Sequence, residues 1–200
     1  MSIVDFAFDY ASPWSFLANA LVPRLLGGVS LRPIPVYLRG FEAFAKGMPY
    51  SSAKLAYLSR DFQRCAAHEG VSLAPPAGFP INGVHALRGA IGAQRAGVFD
   101  AYHQAMFRAA WQESRDISDK QTVIAIGRAA GFSSVADALD DPDVKTALRE
   151  NTERAAARGA FGVPSFFVGD ELFWGHDRMH LVAEAARAAT GATTAKGAKE

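Results

Sequence analysis

The residues with the most chemical potential stand near the two ends of the chain. Ser12-Pro13-Trp14-Ser15 comes just ahead of an Ala/Leu-rich run. That is the pattern of a helix start, with Ser12 as N-cap and Pro13 in the first position. Free backbone N–H groups and the positive dipole end stabilise an anion placed at such a start. Ser12 is therefore either a cap alone or a cap that also hydrogen-bonds an anion. Ser15, one turn into the helix, fits packing or back-bonding instead. Towards the other end, Gly162-Val163-Pro164-Ser165 precedes a β-type run. The proline there either opens the strand in trans or forms a cis bond that turns the backbone of Val163 outward to pair with an extended peptide. Trp174-Gly175-His176-Asp177-Arg178 places a glycine turn and an acid at the start of a last helix. Asp177 is its default N-cap, and an aspartate beside free N–H groups presents both signs of charge to a zwitterion.

Other candidates read as structure. Cys65 is the single cysteine, which excludes an internal disulfide, a C-x-x-C pair and a multi-cysteine zinc site together. It shares an apolar face with Leu58 and Phe62 and reads as a buried, inert thiol. His176 and His180 have i,i+4 spacing suited to a metal, but no third ligand joins them in a motif, so no metal is expected. Lys54 lies near a helix start, where an exposed lysine is ordinarily idle. Trp14, Phe41, Phe44 and Trp111 are candidates to wall an aromatic pocket, with core packing the better reading for Trp111. Asn82, in Phe79-Pro80-Ile81-Asn82, is either a polar pocket group or a helix cap.

The elements that must position these residues follow from pattern. Val4, Phe6 and Phe8 alternate with Asp5, Ala7 and Asp9, a strand over Ile3–Tyr10. The helix after Ser12 stops at Gly27-Gly28, and Val29–Tyr37 reads as a second strand that Pro33 and Pro35 push to an edge. Strand, helix and strand make a βαβ unit with parallel pairing and a right-handed crossover. From Arg39 the signals are helical, over Ser52–Glu69, His85–Ala96, Ala101–Trp111, Asp119–Ala130 and Asp141–Arg158. Leu73–Gly83 is the one loop long enough to cover a site. Strands return at Val163–Val168 and Glu171–Trp174 across a Gly169-Asp170 reversal, followed by a helix over about Asp177–Thr190.

This order describes an α/β fold: thioredoxin-like βαβ and ββα halves with a large all-helical insertion. Residues 1–38 and 159–190 form one discontinuous domain with a single four-stranded sheet, and residues 39–158 the insertion. Residues 191–200 form a small, polar tail expected to be disordered. Composition bounds the function. Of 200 residues, half are apolar and a fifth charged, as in a globular domain with a sizeable core. Lys plus Arg number 21 against 20 acids, so the net charge of +1 gives no general field for nucleic acid or anionic lipid. No apolar run reaches the roughly 18 residues of a membrane span, and the N-terminus reads as a strand rather than a signal peptide. The expectation is a cytoplasmic protein that binds neither nucleic acid nor membrane.

Three stretches carry a family resemblance: FAFDYASPWSFLA at the start, FPIN and ALRGA within Phe79–Ala90, and RGAFGVPSFFVGDELFWGHDRM near the end. Ser12-Pro13-Trp14-Ser15 stands where the redox members of the thioredoxin fold carry C-x-x-C, and Pro164 where they carry a cis-proline. Nearly the whole chain resembles the 2-hydroxychromene-2-carboxylate isomerases of the kappa-class glutathione transferase group, relatives of the DsbA oxidoreductases. The resemblance implies glutathione as cofactor, with Ser12 facing its sulfur, the Val163 backbone before Pro164 holding its cysteinyl residue, and Asp177 meeting its γ-glutamyl amino group. The main chain at His176 takes the γ-glutamyl carboxylate, and Lys54 meets the glycyl carboxylate. It also implies a small aromatic acid substrate beside Trp14, Phe41 and Asn82, and a homodimer. Lys46-Gly47-Met48-Pro49 departs from the family's asparagine followed by paired prolines. A kappa-type transferase or peroxidase is the alternative enzyme. A DsbA-like binding protein without catalysis is the alternative from another class, and the missing C-x-x-C excludes dithiol exchange.

Overall fold

Val4, Phe6 and Phe8 lie along the inner strand β1 (Ile3–Phe8) in the computed structural model, which describes residues 3–196. Helix α1 (Pro13–Leu25) leads to β2 (Ser30–Pro35), which pairs in parallel with β1. On its other side β1 pairs antiparallel with β3 (Ser165–Val168), Val4 opposite Val168 and Ala7 opposite Ser165. β3 forms a hairpin with β4 (Glu171–Trp174), giving the order β2-β1-β3-β4. Both ends of the chain therefore build one thioredoxin-like sheet, as their patterns predict. Between β2 and β3 lie two 3-10 turns (Leu38–Gly40 and Glu42–Phe44) and six helices that add no strand. The helices are α2 (Ser52–His68), α3 (Val84–Arg95), α4 (Phe99–Gln112), α5 (Lys120–Ala129), α6 (Val135–Asp140) and α7 (Pro142–Ala157). Local chemistry starts several of them. Ser51 accepts the Lys54 N–H to cap α2, Asp119 accepts that of Thr122 to cap α5, and Asp141 caps α7 ahead of Pro142.

Several boundaries differ from expectation. β1 ends at Phe8 and β2 at Pro35, and the residues that follow, among them Tyr10 and Val36, pack in the core. α6 is too short to show a helical period and was not expected. The last helix is entered through a 3-10 turn, His176–Arg178, and α8 then runs over Met179–Lys196. The tail expected from Gly191 thus begins within α8, and residues 197–200 lie outside the described residues.

Alternation along β1 distributes its side chains between two cores. Val4, Phe6 and Phe8 join the larger one with Leu17 of α1, Met106 and Trp111 of α4, and Val182 of α8. Ala7 joins the smaller one with Val36, Phe41, Phe44, Val163 and Phe167. Because both faces are covered, the acids of the second face are buried. Burial would raise the Asp5 pKa, but Arg32 and Arg158, each 2.6 Å away, outweigh it and hold the carboxyl below its usual value. Among the described residues, no helix is long and apolar enough to cross a membrane.

Candidate functional site

The first turn of α1 leaves donors free. Ser12 caps the helix: its Oγ accepts the Ser15 N–H at 3.2 Å, and its carbonyl accepts that of Phe16 at 3.1 Å. Its own N–H donates to the Asp9 carbonyl at 3.0 Å. The residue is only 3% exposed. Among the described residues, neither the Ser12 O–H nor the Trp14 N–H finds an acceptor. Two hydrogen-bond donors therefore stand together at the positive end of a helix, which is what a buried anion requires.

The second part of the site comes from the loop before β3. The Val163-Pro164 bond is cis. Gly175 donates its N–H to the Pro164 carbonyl at 3.0 Å, tying this loop to the end of β4. Neither the N–H nor the C=O of Val163 has a partner among the described residues, so both remain available to a peptide-like ligand. Phe41 shares the small core cluster with Val163 and is 2% exposed. It packs in that core.

The third part is the 3-10 turn. The His176 ring stacks on the Trp14 indole, with centroids 5.0 Å apart and planes 10° from parallel, while Phe62 meets the same indole edge-on at 5.7 Å. The turn that carries Ser12 and Trp14 is thus linked to the His176–Asp177 turn by the Trp14–His176 stack, and that turn to Pro164 by the Gly175 hydrogen bond. Sequence reasoning assigned His176 only a backbone role and missed this stack. Burial lowers the His176 pKa, against the opposing pull of Asp177, Glu69 and Asp61. Asp177 does not cap α8, which begins two residues later. Its carboxylate pairs with Arg178 at 2.6 Å and lies against Gly175, where φ is +100° and a Cβ would come within 2.5 Å of Asp177 Oδ1. Only glycine fits that turn.

Lys54 holds its Nζ 4.3 Å over the Tyr50 ring, and Tyr50 meets Phe44 of the small core edge-on at 6.1 Å. The lysine is thereby linked to the cluster that contains Val163. Asn82 is used structurally: its Oδ1 accepts the Tyr37 O–H at 3.3 Å and the Val84 N–H at 3.1 Å, and its N–H donates to Ser118 Oγ at 2.8 Å. No hydrogen bond joins it to Ser12, Val163 or Asp177. Cys65 is partly exposed rather than fully buried, and burial, followed by the charges of Asp61, Asp177 and Glu69, raises its pKa and keeps it a thiol. Trp111 is a core residue, and its Nε1 donates to the Tyr10 carbonyl at 2.8 Å. Among the described residues, no group of three His, Cys, Asp or Glu side chains could hold a metal.

Two buried groups behind the site escaped the sequence reading. Asp9, 1% exposed, accepts the Ala11 N–H on Oδ1 at 2.9 Å and the Leu38 N–H on Oδ2 at 2.8 Å. Burial pushes its pKa from 3.8 up to about 6, although both hydrogen bonds and Arg39 oppose this. An acid at the end of a strand just before a helix cap was the available signal. His103 Nδ1 accepts a hydrogen bond from Tyr10 O–H (2.9 Å) and its Nε2–H donates to Asn19 Oδ1 (3.0 Å), the arrangement of a neutral ring. Its burial lowers its pKa to about 3.

Comparison with known proteins bears on the family and the fold. The family model of the DSBA-like thioredoxin domain matches residues 3–187. The chain is 30% identical over 191 residues to the 2-hydroxychromene-2-carboxylate isomerase of Pseudomonas putida, spanning 92% of this chain and 93% of that one. It is 24% identical over 200 residues to glutathione S-transferase kappa 1 of Homo sapiens, spanning 90% and 89%. A solved structure of a 2-hydroxychromene-2-carboxylate isomerase superposes with a TM-score of 0.79 at 29% identity, covering 98% of each chain.

Proposed function

Because the chain belongs to the DsbA-like thioredoxin family and, within it, to the 2-hydroxychromene-2-carboxylate isomerases grouped with the kappa-class glutathione transferases, we propose that it is a glutathione-dependent isomerase. Its reaction would interconvert 2-hydroxychromene-2-carboxylate with trans-o-hydroxybenzylidenepyruvate in aromatic degradation. The relatives support an isomerase enzyme; glutathione and the substrate are our reading. The observation that carries it is the pair of unused donors, Ser12 O–H and Trp14 N–H, at the start of α1, together with the unpaired backbone of Val163 before the cis proline. With no cysteine at this turn, any thiolate held at the anion-stabilising end of α1 has to come from a ligand.

Glutathione, when bound, supplies a thiolate nucleophile for reversible addition to a conjugated enone. Ser12 would hold the sulfur ionised by donating its O–H, with the N-terminus of α1 adding its dipole. The Val163 N–H and C=O would hold the cysteinyl backbone, and Asp177 the γ-glutamyl amino group. The main chain at His176 would take the γ-glutamyl carboxylate, and Lys54 the glycyl carboxylate. The Trp14–His176 stack would form one wall beside the reacting atoms. The same reading makes the protein a cytoplasmic homodimer. Enzyme freed of small thiols should be nearly inactive on 2-hydroxychromene-2-carboxylate and regain turnover when glutathione is added. Equal turnover without thiol contradicts the proposal, and conjugation of an electrophile without isomerisation would favour the kappa-type transferase.

A further inference from the structure

A second pocket, of about 290 Å³, opens between α3, α7 and the segment after β2. Ser12, Val163 and Asp177 do not line it. Its walls combine Tyr37, Val84 and Leu148 with three cations, Arg88, Lys145 and Arg149. Arg149 is neutralised by Glu153 at 3.1 Å. The Arg88 side chain has no hydrogen bond or ion pair among the described residues, and its Nε is buried without a partner. An unsatisfied donor on a permanent cation is costly unless something outside the chain completes it. Arg88 lines the pocket, and a guanidinium carries paired N–H groups that can grip a planar oxyanion at two points. The apolar walls ask the rest of the ligand to be hydrophobic. The volume lies at the lower end of the range for small-molecule sites, about 300–1,000 Å³, so the ligand is small.

We infer that this pocket is a second binding site, for a small carboxylate with an apolar body, whose carboxylate is taken by Arg88. Lys145 adds charge from α7, and Tyr37, Val84 and Leu148 pack on the body. The pocket is tied to the first site through the chain itself. Tyr37 immediately precedes Leu38, whose N–H holds Asp9, and Asp9 holds the turn that carries Ser12.

The test is calorimetric titration of the whole protein at fixed ionic strength with three probes: benzoate, benzamide and inorganic phosphate. Benzoate should bind saturably; benzamide, which has the ring without the charge, and phosphate, which has the charge without the ring, should bind at least about ten-fold more weakly. Arg88→Met should weaken benzoate by about ten-fold or more, and the surface variant Lys145→Ala by a few-fold. Ser12→Ala should leave benzoate binding unchanged, which separates this site from the glutathione site. Benzoate binding that survives both Arg88→Met and Lys145→Ala overturns the inference. So does phosphate binding as tightly as benzoate, or no benzoate binding at all.

Discussion

Ser12 and Asp9 are joined by a backbone hydrogen bond, and each holds a different part of the same turn. Asp9 binds its proton more tightly in the folded chain than in the unfolded one, since its pKa rises from 3.8 to about 6. Its contribution to stability is therefore full below the unfolded value and lost as pH climbs through about 6. Asn has no such titration. The stability of the wild type minus that of Asp9→Asn should fall by about 2–3 kcal/mol between about pH 4 and about pH 7. Urea melts of the two proteins across that range measure it, and a difference that does not vary with pH contradicts it. His103 runs the opposite way: its lowered pKa stabilises the fold above the unfolded value of 6.5, and this is lost as pH falls. Asp177 sits at the mouth of the site in a turn closed by Gly175. Asp177→Ala should chiefly weaken glutathione binding, by roughly ten-fold, with little change in melting temperature. An unchanged glutathione affinity in calorimetry would remove it from the ligand.

Among the elements, α1 is the one on which the site depends, and the Tyr10–His103–Asn19 chain fastens it to α4. Asn19→Ala leaves the His103 Nε2–H buried without an acceptor, a cost of about 1–3 kcal/mol. The melting temperature should drop by about 2–4 °C for each kcal/mol, and an unchanged transition in calorimetry would show that the chain does not carry load. These contacts also mark what the sequence could reveal. The strands, α1 and its Ser12 cap were legible because period-two alternation and capping are local. So was the cis Val163-Pro164 bond, once its place before a strand was seen. α6 was not legible, because Val135–Asp140 is under two turns. The Trp14–His176 stack and the bond from Leu38 to Asp9 join residues far apart in the chain, and spacing along a sequence does not report such pairs. The burial of Phe41 was not legible for the same reason, since it depends on residues distant in the chain.

At the scale of the molecule, the helical insertion shares its core with the sheet. Val4, Phe6 and Phe8 are in one continuous cluster with Met106, Trp111, Val123 and Leu139. We therefore propose that residues 39–158, though a separate unit in topology, are not separate in folding. Heat should unfold the protein in one calorimetric transition, and a fragment of residues 39–158 should lack stable tertiary structure. Two resolved transitions, or a cooperatively folded fragment, would contradict this.

The most direct test of the central claim, that Ser12 holds an ionised sulfur brought by the ligand, is a pH titration of thiolate ultraviolet absorbance. It compares wild type and Ser12→Ala, each saturated with glutathione. One hydrogen bond to an ionised group is worth about 1.5–3 kcal/mol. The substitution should therefore raise the pKa of bound glutathione by roughly one to two units. The pKa should stay below that of free glutathione, because the N-terminus of α1 still favours the anion. Superimposable curves would contradict the account and leave Ser12 a helix cap and nothing more.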